Sequence, residues 1–209
     1  MKVVLQKTSL RLLLKWAQRT LLTSGILTLG YCGFVLVDAW MFQKRESRRL
    51  ELLLEEQHVS ERQRPAKVVT PPESSPVIGP DGLIGRIEIP RLGLSVVLLE
   101  GTANATLRRA VGHIEGTALP GQRGNVGLAG HRDTFFRPLR SIQPNDIITL
   151  TTIRSEYRYR VVSTRIVNPE DIEVLDSAGT EILTLVTCYP FYFVGAAPNR
   201  FIVRAERVS

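Results

Sequence analysis

The uncharged stretch at residues 20–37 constrains the fold of this chain more than any other feature. It reads TLLTSGILTLGYCGFVLV, and its apolar character continues to residue 42 if Asp38 is tolerated near an interface. A helix needs about 20 such residues to cross roughly 30 Å of hydrocarbon. Trp16 and Trp40 lie near the two ends, where amphipathic rings prefer the membrane surface. We therefore expect a transmembrane helix over residues 20–42.

Two alternatives to a membrane anchor are weaker. A buried core helix seldom runs this long without a polar face. A cleavable signal peptide needs a shorter apolar run that ends in a small-x-small site, whereas Asp-Ala-Trp-Met-Phe follows Val37. The segment before the span, residues 1–19, has five basic residues and no acidic one, which favours an inside N-terminus. We expect a single-pass protein of the cell membrane whose C-terminal domain is extracytoplasmic.

The distribution of charge supports a membrane partner. The net charge is +7, with 12 Lys/Arg against 7 Asp/Glu in residues 1–80 and 15 against 13 in residues 81–209. The excess of positive charge thus lies mainly beside the apolar stretch, and the remainder is near balance. This pattern favours a membrane surface over a nucleic acid, which we do not expect as a partner.

The region between the anchor and the folded domain, residues 43–80, divides into two parts. Residues 43–64 form a charged pattern with Leu50, Leu53 and Leu54 on one side, which predicts a helical, solvated stalk. Residues 65–82 are rich in Pro, Ser and Gly, which predicts an extended linker. The domain would begin near Asp81 and occupy residues 81–209.

Short apolar or alternating runs separated by turn residues dominate the C-terminal domain. They read LIGRIEIP, LSVVLLE, NVGLAG, DIITLTT, YRYRVVSTRIV, EILTLVT and RFIVRAERV. Only short helical stretches are expected, near residues 105–110 and 137–142. Seven or eight strands in a chain this short predict an all-β fold that closes into a barrel.

Cys188 ends the apolar run TLVTC and is the only cysteine of the domain. With one Cys and two His, the domain lacks the ligand set that zinc requires. The other cysteine, Cys32, falls within the expected membrane span, so a disulfide is not expected. An exported thiol without a partner is either buried and inert or kept for its reactivity, and these facts leave both readings open.

Two further residues sit at strand boundaries like that of Cys188. His131 follows the short strand NVGLAG, and Arg200 opens the last strand after a Pro-Asn turn. A thiol nucleophile needs a base or cation, and acyl transfer needs a donor for the oxyanion. Strand ends can converge at one rim of a barrel. His113, in VGHIEG, competes with His131 as the base but follows a short helix, so His131 is preferred.

The sequence here resembles the sortases. TLVTC (184–188) is similar to their TLxTC signature, LAGHR (128–132) to the segment with their histidine, and PNRFIV (198–203) to the strand with their arginine. The order His, Cys, Arg and the layout of anchor, linker and β-barrel also match. The run CYPFYFVGAAPNRFIVRA is most similar to class D sortases, and the linker lacks the Asp-Pro-aromatic lid motif of class C.

This resemblance implies a catalytic set of Cys188, His131 and Arg200, with Thr187 and Ala129 near the substrate. The substrate would be the LPxTG-like sorting signal of a secreted protein, cleaved after Thr through a thioester. An amine from the cell wall or another protein would be the acceptor. No cofactor or metal is expected.

The resemblance also suggests a possible calcium loop, because some class A sortases bind calcium through an acidic loop. The corresponding acidic residues here are Glu170, Asp171, Glu173 and Asp176. A solvated surface loop is the preferred interpretation, because oxygen ligands of this kind need partners from elsewhere in the fold.

Other functions stay open at this point. A different cysteine acyl-transferase, such as an L,D-transpeptidase, would carry a Ser-His-Gly-Cys stretch, which is absent. A papain-type peptidase would place its Cys before its His, and here the order is reversed. A non-enzymatic, membrane-anchored binding module with a structural Cys188 is the remaining alternative.

Overall fold

The computed structural model describes residues 2–62, 78–177, 179–193 and 195–208, and the side chains of 12–56 within the long helix. The chain forms two compact units, residues 1–42 and residues 43–209. Most of the linker predicted at residues 65–82 lies outside the described residues. Its end is a short 3₁₀ helix, Pro80–Gly82, which precedes the first strand.

A single long helix, α1 (Lys2–Arg62), contains all the described residues of the first unit. Between Leu12 and Glu56 it includes an 18-residue window with a mean hydropathy of 1.8, and none of that window is buried. The large apolar side chains between residues 20 and 37 are exposed. By length and composition the helix is therefore a candidate membrane span, at the position that the sequence predicts.

After α1, the described residues of the second unit form eight strands and only short helices. The strands are β1 (Leu83–Ile89), β2 (Leu94–Glu100), β3 (Val111–His113), β4 (Asn125–Ala129), β5 (Ile147–Thr152), β6 (Glu156–Val167), β7 (Ile182–Tyr189) and β8 (Asn199–Arg207). One short helix, α2 (Asn104–Leu107), precedes β3, and 3₁₀ helices lie at Pro90–Leu92, Arg137–Ser141 and Ile172–Leu175. The two helical stretches expected near 105–110 and 137–142 are both present.

The strands close into a barrel in the order β1-β2-β3-β4-β7-β8-β6-β5. The β2–β3 and β4–β7 pairs are parallel, and the other neighbouring strands are antiparallel. The predicted all-β fold, a closed barrel with short helices after an N-terminal apolar helix, is confirmed. Sequence analysis did not predict β3, because three residues are too few to show a period of two.

Alternation of side chains builds the core. Strand β5 alternates buried and half-buried residues along IITLTT, as expected where one face meets the interior. The central strands β4 and β7 are buried on both faces and read as nearly continuous apolar runs. The interior is filled by large aliphatic and aromatic side chains, including Ile87, Leu98, Leu128, Phe136, Leu150, Tyr159, Leu183, Leu185 and Val203.

The second half of α1 differs from the solvated stalk that the sequence predicts. Residues from Gln43 onward belong to the same compact unit as the barrel, and Leu50 is 1% exposed. The Gln43 amide accepts a hydrogen bond from the Val97 backbone N–H at 3.0 Å and donates one to the Arg109 carbonyl. Ion pairs join Arg49 to Asp81 at 2.8 Å and Glu51 to Arg86 at 3.3 Å.

The leucine stripe of this helix explains the difference. One apolar side chain per turn is enough to pack a helix on a sheet when the flanking polar groups find partners there. Leu50 is buried while Leu52, on another side of the helix, is 62% exposed. The charged residues that suggest a solvated surface instead form the rim of this contact.

Candidate functional site

Barrel topology brings three distant segments to one rim. Strands β4 and β7 are parallel neighbours, so their carboxyl ends lie at the same edge. Strand β8 is antiparallel to β7, so its amino end lies at that edge too. His131 comes two residues after β4 ends, Cys188 is the next-to-last residue of β7, and Arg200 is the second residue of β8.

The register of the strands aligns these residues. Cys188 and Arg200 are direct partners across β7 and β8. On the other side of β7, Ala129 pairs with Val186, and His131 follows two residues later along the chain. The ladder continues one residue past β4, because the Gly130 N–H donates to the Val186 carbonyl at 3.2 Å. The structure thus sets the segments with His131 and Arg200 on either side of Cys188.

Thr187, the residue before Cys188, helps to hold the segment after β4 beside β7. Its side chain is 2% exposed, and its hydroxyl donates to the Gly130 carbonyl at 2.7 Å. A Cβ on Gly130 would lie 2.7 Å from the Phe136 ring, so only glycine fits where the chain turns toward His131. The prediction that Thr187 contacts substrate stays a prediction, and the structure gives its hydroxyl a partner in the protein.

The three predicted residues are all partly exposed, so solvent and a peptide can reach them. The Arg200 guanidinium donates to the carbonyls of Ala197 at 3.3 Å and Asn199 at 3.1 Å. These local bonds use one nitrogen of a group that has five N–H donors, which leaves others for a substrate carbonyl. Ala129, also half-buried, lies on the face of the sheet that carries Val186.

Arg132, the residue after His131, holds the β7–β8 loop. Its side chain is 6% exposed. It donates to three loop carbonyls, those of Pro190 at 2.8 Å, Phe193 at 2.6 Å and Gly195 at 3.0 Å. The planar guanidinium suits this task because its donors diverge in a fixed fork. The segments on both sides of Cys188 are therefore tied to each other.

An aromatic cluster supports the same loop. The Phe191 and Phe201 rings meet edge to face with centroids 5.3 Å apart, and Tyr189 stacks on Phe201 at 6.4 Å. Pairs at these separations stabilise by about 0.5–1.5 kcal/mol beyond their buried area. The cluster fixes the ends of β7 and β8 directly beside Cys188 and Arg200.

Cys188 lies at one end of a surface on the outer face of the barrel, and a short helix borders this surface. Thr184, Val186 and Cys188 alternate with the core residues of β7 and therefore face outward. The 3₁₀ helix Ile172–Leu175 stands over this face, because the Asn125 side chain donates to the Val174 carbonyl at 3.1 Å. Thr184 in turn fixes Asn125 by donating to its side-chain oxygen at 2.8 Å.

His113, the alternative base, does not share this face. It is 2% exposed and pairs with Leu128, a core residue, so its side chain points away from the face with Cys188. Its ring nitrogens lie 2.9 Å from a Glu100 carboxylate oxygen and 2.9 Å from the Ala118 carbonyl. The structure thus gives the His113 ring its own hydrogen-bond partners away from the face with Cys188, although His113 ends a strand rather than following the helix directly.

The acidic loop residues lie at the outer face without forming a ligand cluster. Among the described residues, no group of three or more His, Cys, Asp or Glu is placed to hold a metal ion. The Asp171 carboxylate accepts a hydrogen bond from the Asn168 N–H at 2.9 Å, which caps the turn that starts the loop. The expectation that no metal or cofactor takes part stays a prediction.

Sequence reasoning missed Arg132, Asn125 and Thr184. Arg132 has one sequence signal, a charged residue three positions past the end of a mostly apolar strand. Asn125 and Thr184 each interrupt an apolar run with a polar residue that must find a partner if it is buried. Those interruptions predict buried hydrogen bonds without telling which residues form them, because the two strands are more than 50 residues apart.

Comparison with known proteins agrees with this geometry. The family described as "Sortase domain" matches residues 87–208. Sortase D of Bacillus subtilis is 31% identical over 90% of this chain and 96% of its own length. Sortase A of Listeria monocytogenes is 30% identical over 52% of this chain and 50% of its own length. The solved structure of a Clostridium perfringens Sortase D5 transpeptidase covers 80% of this chain and 99% of its own, with 26% identity and a TM-score of 0.63.

The fold and the matches together define an acyl-transferring enzyme of the transpeptidase kind. The family match extends over the segments that carry Cys188, His131 and Arg200. The chain belongs to the sortase family, as the motifs in its sequence predict.

Proposed function

We propose that this protein cleaves an LPxTG-like sorting signal after Thr and transfers the resulting acyl group to an amine acceptor at the cell surface. The single observation that carries the proposal is the cross-strand pairing of Cys188 with Arg200, on a strand whose other neighbour, β4, leads into His131. A nucleophile, a proton carrier and a fixed cation on one partly exposed rim are the minimum set for amide exchange.

Cys188 would act as the nucleophile. Its sulfur attacks the carbonyl carbon of the Thr residue, and collapse of the tetrahedral intermediate breaks the peptide bond and leaves a thioester. The acceptor amine then attacks this thioester, the new amide forms, and the sulfur leaves. Dividing one difficult exchange into two acyl transfers is the advantage of covalent catalysis.

His131 would move the protons of both steps. In the first step its imidazole protonates the departing amine, and in the second it removes a proton from the incoming one. His131 follows β4, which neighbours β7 on the side opposite β8 and Arg200, so we assign the leaving group to the β4 side. This arrangement supports an assignment of His131 as general acid and base.

Arg200 would stabilise the negative charge that develops on the Thr carbonyl oxygen. Guanidinium N–H groups stay charged over the whole working pH range and have fixed directions. Its bonds to Ala197 and Asn199 hold the side chain near the start of β8 before substrate arrives. Preorganised donors of this kind cost no reorganisation during the reaction.

The same proposal includes location and partners. The apolar half of α1 would cross the cell membrane once and leave the barrel outside, where secreted proteins carry sorting signals and cell-wall or protein amines serve as acceptors. The thiol, imidazole and guanidinium supply every step above, so we propose that no metal is required. Cleavage rates that are equal in EDTA and in added Ca²⁺ would support this statement, and a rate lost in EDTA and restored by Ca²⁺ would contradict it.

The test is peptide cleavage by the full chain in detergent and by three variants. Cys188→Ala should abolish cleavage, and His131→Ala and Arg200→Ala should each lower kcat/KM by roughly 100-fold or more. His113→Gln serves as the control, because its ring lies buried on the opposite face of the sheet. Cleavage by Cys188→Ala at the wild-type rate would overturn the proposal, as would near-normal activity of Arg200→Ala for the role of that residue.

A further inference from the structure

A second recess lies on the outer face of the barrel, further along the strands that carry Cys188 and Arg200. It is a shallow recess lined by Ser163, Arg165, Val174, Thr184, Ile202 and Arg204. The floor is formed by β6, β7 and β8, and Val174 of the 3₁₀ helix Ile172–Leu175 forms one wall. None of the steps proposed above uses Arg165, Arg204 or Ser163.

The recess is cationic. Arg204 pairs with Ser163 across β6 and β8, and Arg165 pairs with Ile202. The two arginines therefore lie on the same outer face, two residues apart along the strands. In the part of the chain that the structure describes, neither guanidinium has a hydrogen bond or an ion pair. Arg165 is exposed and Arg204 is half-buried. Two unpaired guanidiniums beside the Ser163 hydroxyl form a site for a carboxylate.

The distance from Cys188 sets which part of a substrate reaches the recess. Thr184 precedes Cys188 by four residues on the same face of β7, which corresponds to about 13 Å along an extended strand. Arg204 is level with Thr184, since the two are cross-strand partners. If an extended peptide has its scissile carbonyl at Cys188, the residue four positions from the one with that carbonyl therefore lies at Arg204.

The direction of the peptide follows from the proton chemistry. The leaving amine must depart beside His131, on the β4 side of Cys188, while the acyl chain must stay bound until an acceptor arrives. Arg165 and Arg204 lie on the opposite side, on β6 and β8. The acyl portion thus runs along β7 and β8, and the fourth residue before Thr is the one directly before Leu in an LPxTG-like motif.

We propose that Arg165 and Arg204 form a specificity site that binds the carboxylate of an Asp or Glu directly before the sorting motif. The inference deepens the proposed function and rests on it. The acidic residues of the neighbouring loop, Glu170, Asp171 and Glu173, are the competing partners within the chain. None of them forms an ion pair with either guanidinium in the described part of the chain.

The experiment compares three peptides that differ only in the residue before Leu-Pro-Ala-Thr-Gly, namely Glu, Gln or Lys. With the full chain in detergent, kcat/KM should be roughly five- to tenfold higher for the Glu peptide than for the Gln peptide, as expected for one charge-assisted bond at a partly exposed site. The Lys peptide should be the poorest substrate. Raising the salt concentration from 0.05 M to about 0.5 M should narrow the difference, because screening weakens exposed ion pairs.

Substitution assigns the effect to its residues. The double variant Arg165→Gln/Arg204→Gln should cleave the Glu and Gln peptides with equal kcat/KM. Arg160→Gln, an exposed arginine of β6 outside the recess, is the control for net charge and should keep the Glu preference.

Three results would overturn the inference, and they are distinguishable. Equal kcat/KM for the Glu and Gln peptides with the wild-type chain, or a Glu preference that survives in the double variant, would refute the site while leaving the proposed function intact. Cleavage of none of the three peptides would refute the proposed function and the specificity site with it.

Discussion

Arg132 shows how a residue that touches no substrate can control the site. Its guanidinium joins the segment after β4 to the loop between β7 and β8 through three carbonyls. Removing it leaves those carbonyls without their donor and frees the loop that separates Cys188 from Arg200. A misplacement of about 1 Å can lower a rate by roughly 100-fold, so the effect on catalysis should be large.

We predict that Arg132→Ala lowers kcat by roughly 10- to 100-fold with a smaller change in KM, because reacting groups rather than substrate contacts are displaced. Arg132→Lys should recover little, since an ammonium group cannot span three carbonyls in a fork. Steady-state kinetics of both variants are the measurement. Arg137→Ala, an exposed arginine of the neighbouring 3₁₀ helix, is the control. Full activity of Arg132→Ala would contradict the positioning role.

Thr187 offers a second test at the scale of one hydroxyl. Thr187→Val keeps the shape and removes the hydrogen bond to the Gly130 carbonyl, which should lower the free energy of unfolding by about 1–2 kcal/mol. Thr187→Ser keeps the hydroxyl, so cleavage activity should fall less in Ser than in Val if the bond aligns His131. Thermal unfolding and kcat of the two variants test whether the hydrogen bond affects catalysis. Equal activity of the Val and Ser variants would mean that Thr187 has a packing role alone.

Among the elements, the second half of α1 is part of the barrel's structure. Leu50→Ala should lower the free energy of unfolding of the full chain in detergent by about 2–3 kcal/mol, because it leaves a cavity under the helix. Leu52→Ala removes the same atoms from an exposed position and should change the free energy of unfolding by less than about 0.5 kcal/mol. Equal stability of the two variants would mean that this helix does not pack on the barrel.

A buried carboxylate connects two other elements. Arg91, in the 3₁₀ helix after β1, forms an ion pair with Asp146, just before β5, and this hydrogen bond lowers the pKa of Asp146 below its usual value. Its contribution to stability is therefore present above the ordinary carboxyl pKa and is lost as the pH falls through the lowered value.

Asp146→Asn should accordingly be less stable than wild type at pH 7, with a difference that closes as the pH falls below about 4. Unfolding measured from pH 7 to pH 2 checks this expectation. Glu156→Gln, an exposed carboxylate on β6, is the matched control and should leave the pH profile unchanged. A difference between wild type and Asp146→Asn that persists undiminished at pH 2 would contradict the assignment.

Elements with a clear period were predictable from sequence, and contacts between distant elements were not. The alternation along β5 and the apolar runs of β4 and β7 predict strands and a closed sheet. The motifs around Cys188, His131 and Arg200 predict the site through resemblance. The placement of the segment before His131 beside the strand of Cys188 depends on a parallel pairing across more than 50 residues, which local patterns do not encode. The packing of Leu50 depends likewise on which sheet face the helix meets.

At the scale of the whole molecule, the long apolar segment predicts behaviour in membranes. The full chain should stay in the membrane fraction after extraction at alkaline pH, and protease added to intact cells should remove the barrel. Lys in place of both Leu27 and Leu29 should release a large share of the protein, because each charge at the bilayer centre costs about 2.5–3.5 kcal/mol. Leu52→Lys, beyond the span, should have no such effect. Release of the unaltered chain by alkali would contradict a transmembrane anchor.

The central claim is that a peptide acylates Cys188 at the rim where β4, β7 and β8 meet. Intact-mass spectrometry of the full chain, quenched with acid shortly after mixing with an LPxTG-like peptide, tests it most directly. The account predicts a mass increase equal to the fragment that ends in Thr, located on Cys188, removed by hydroxylamine and absent in Cys188→Ala. Peptide turnover with no adduct on Cys188, and undiminished in that variant, would contradict it.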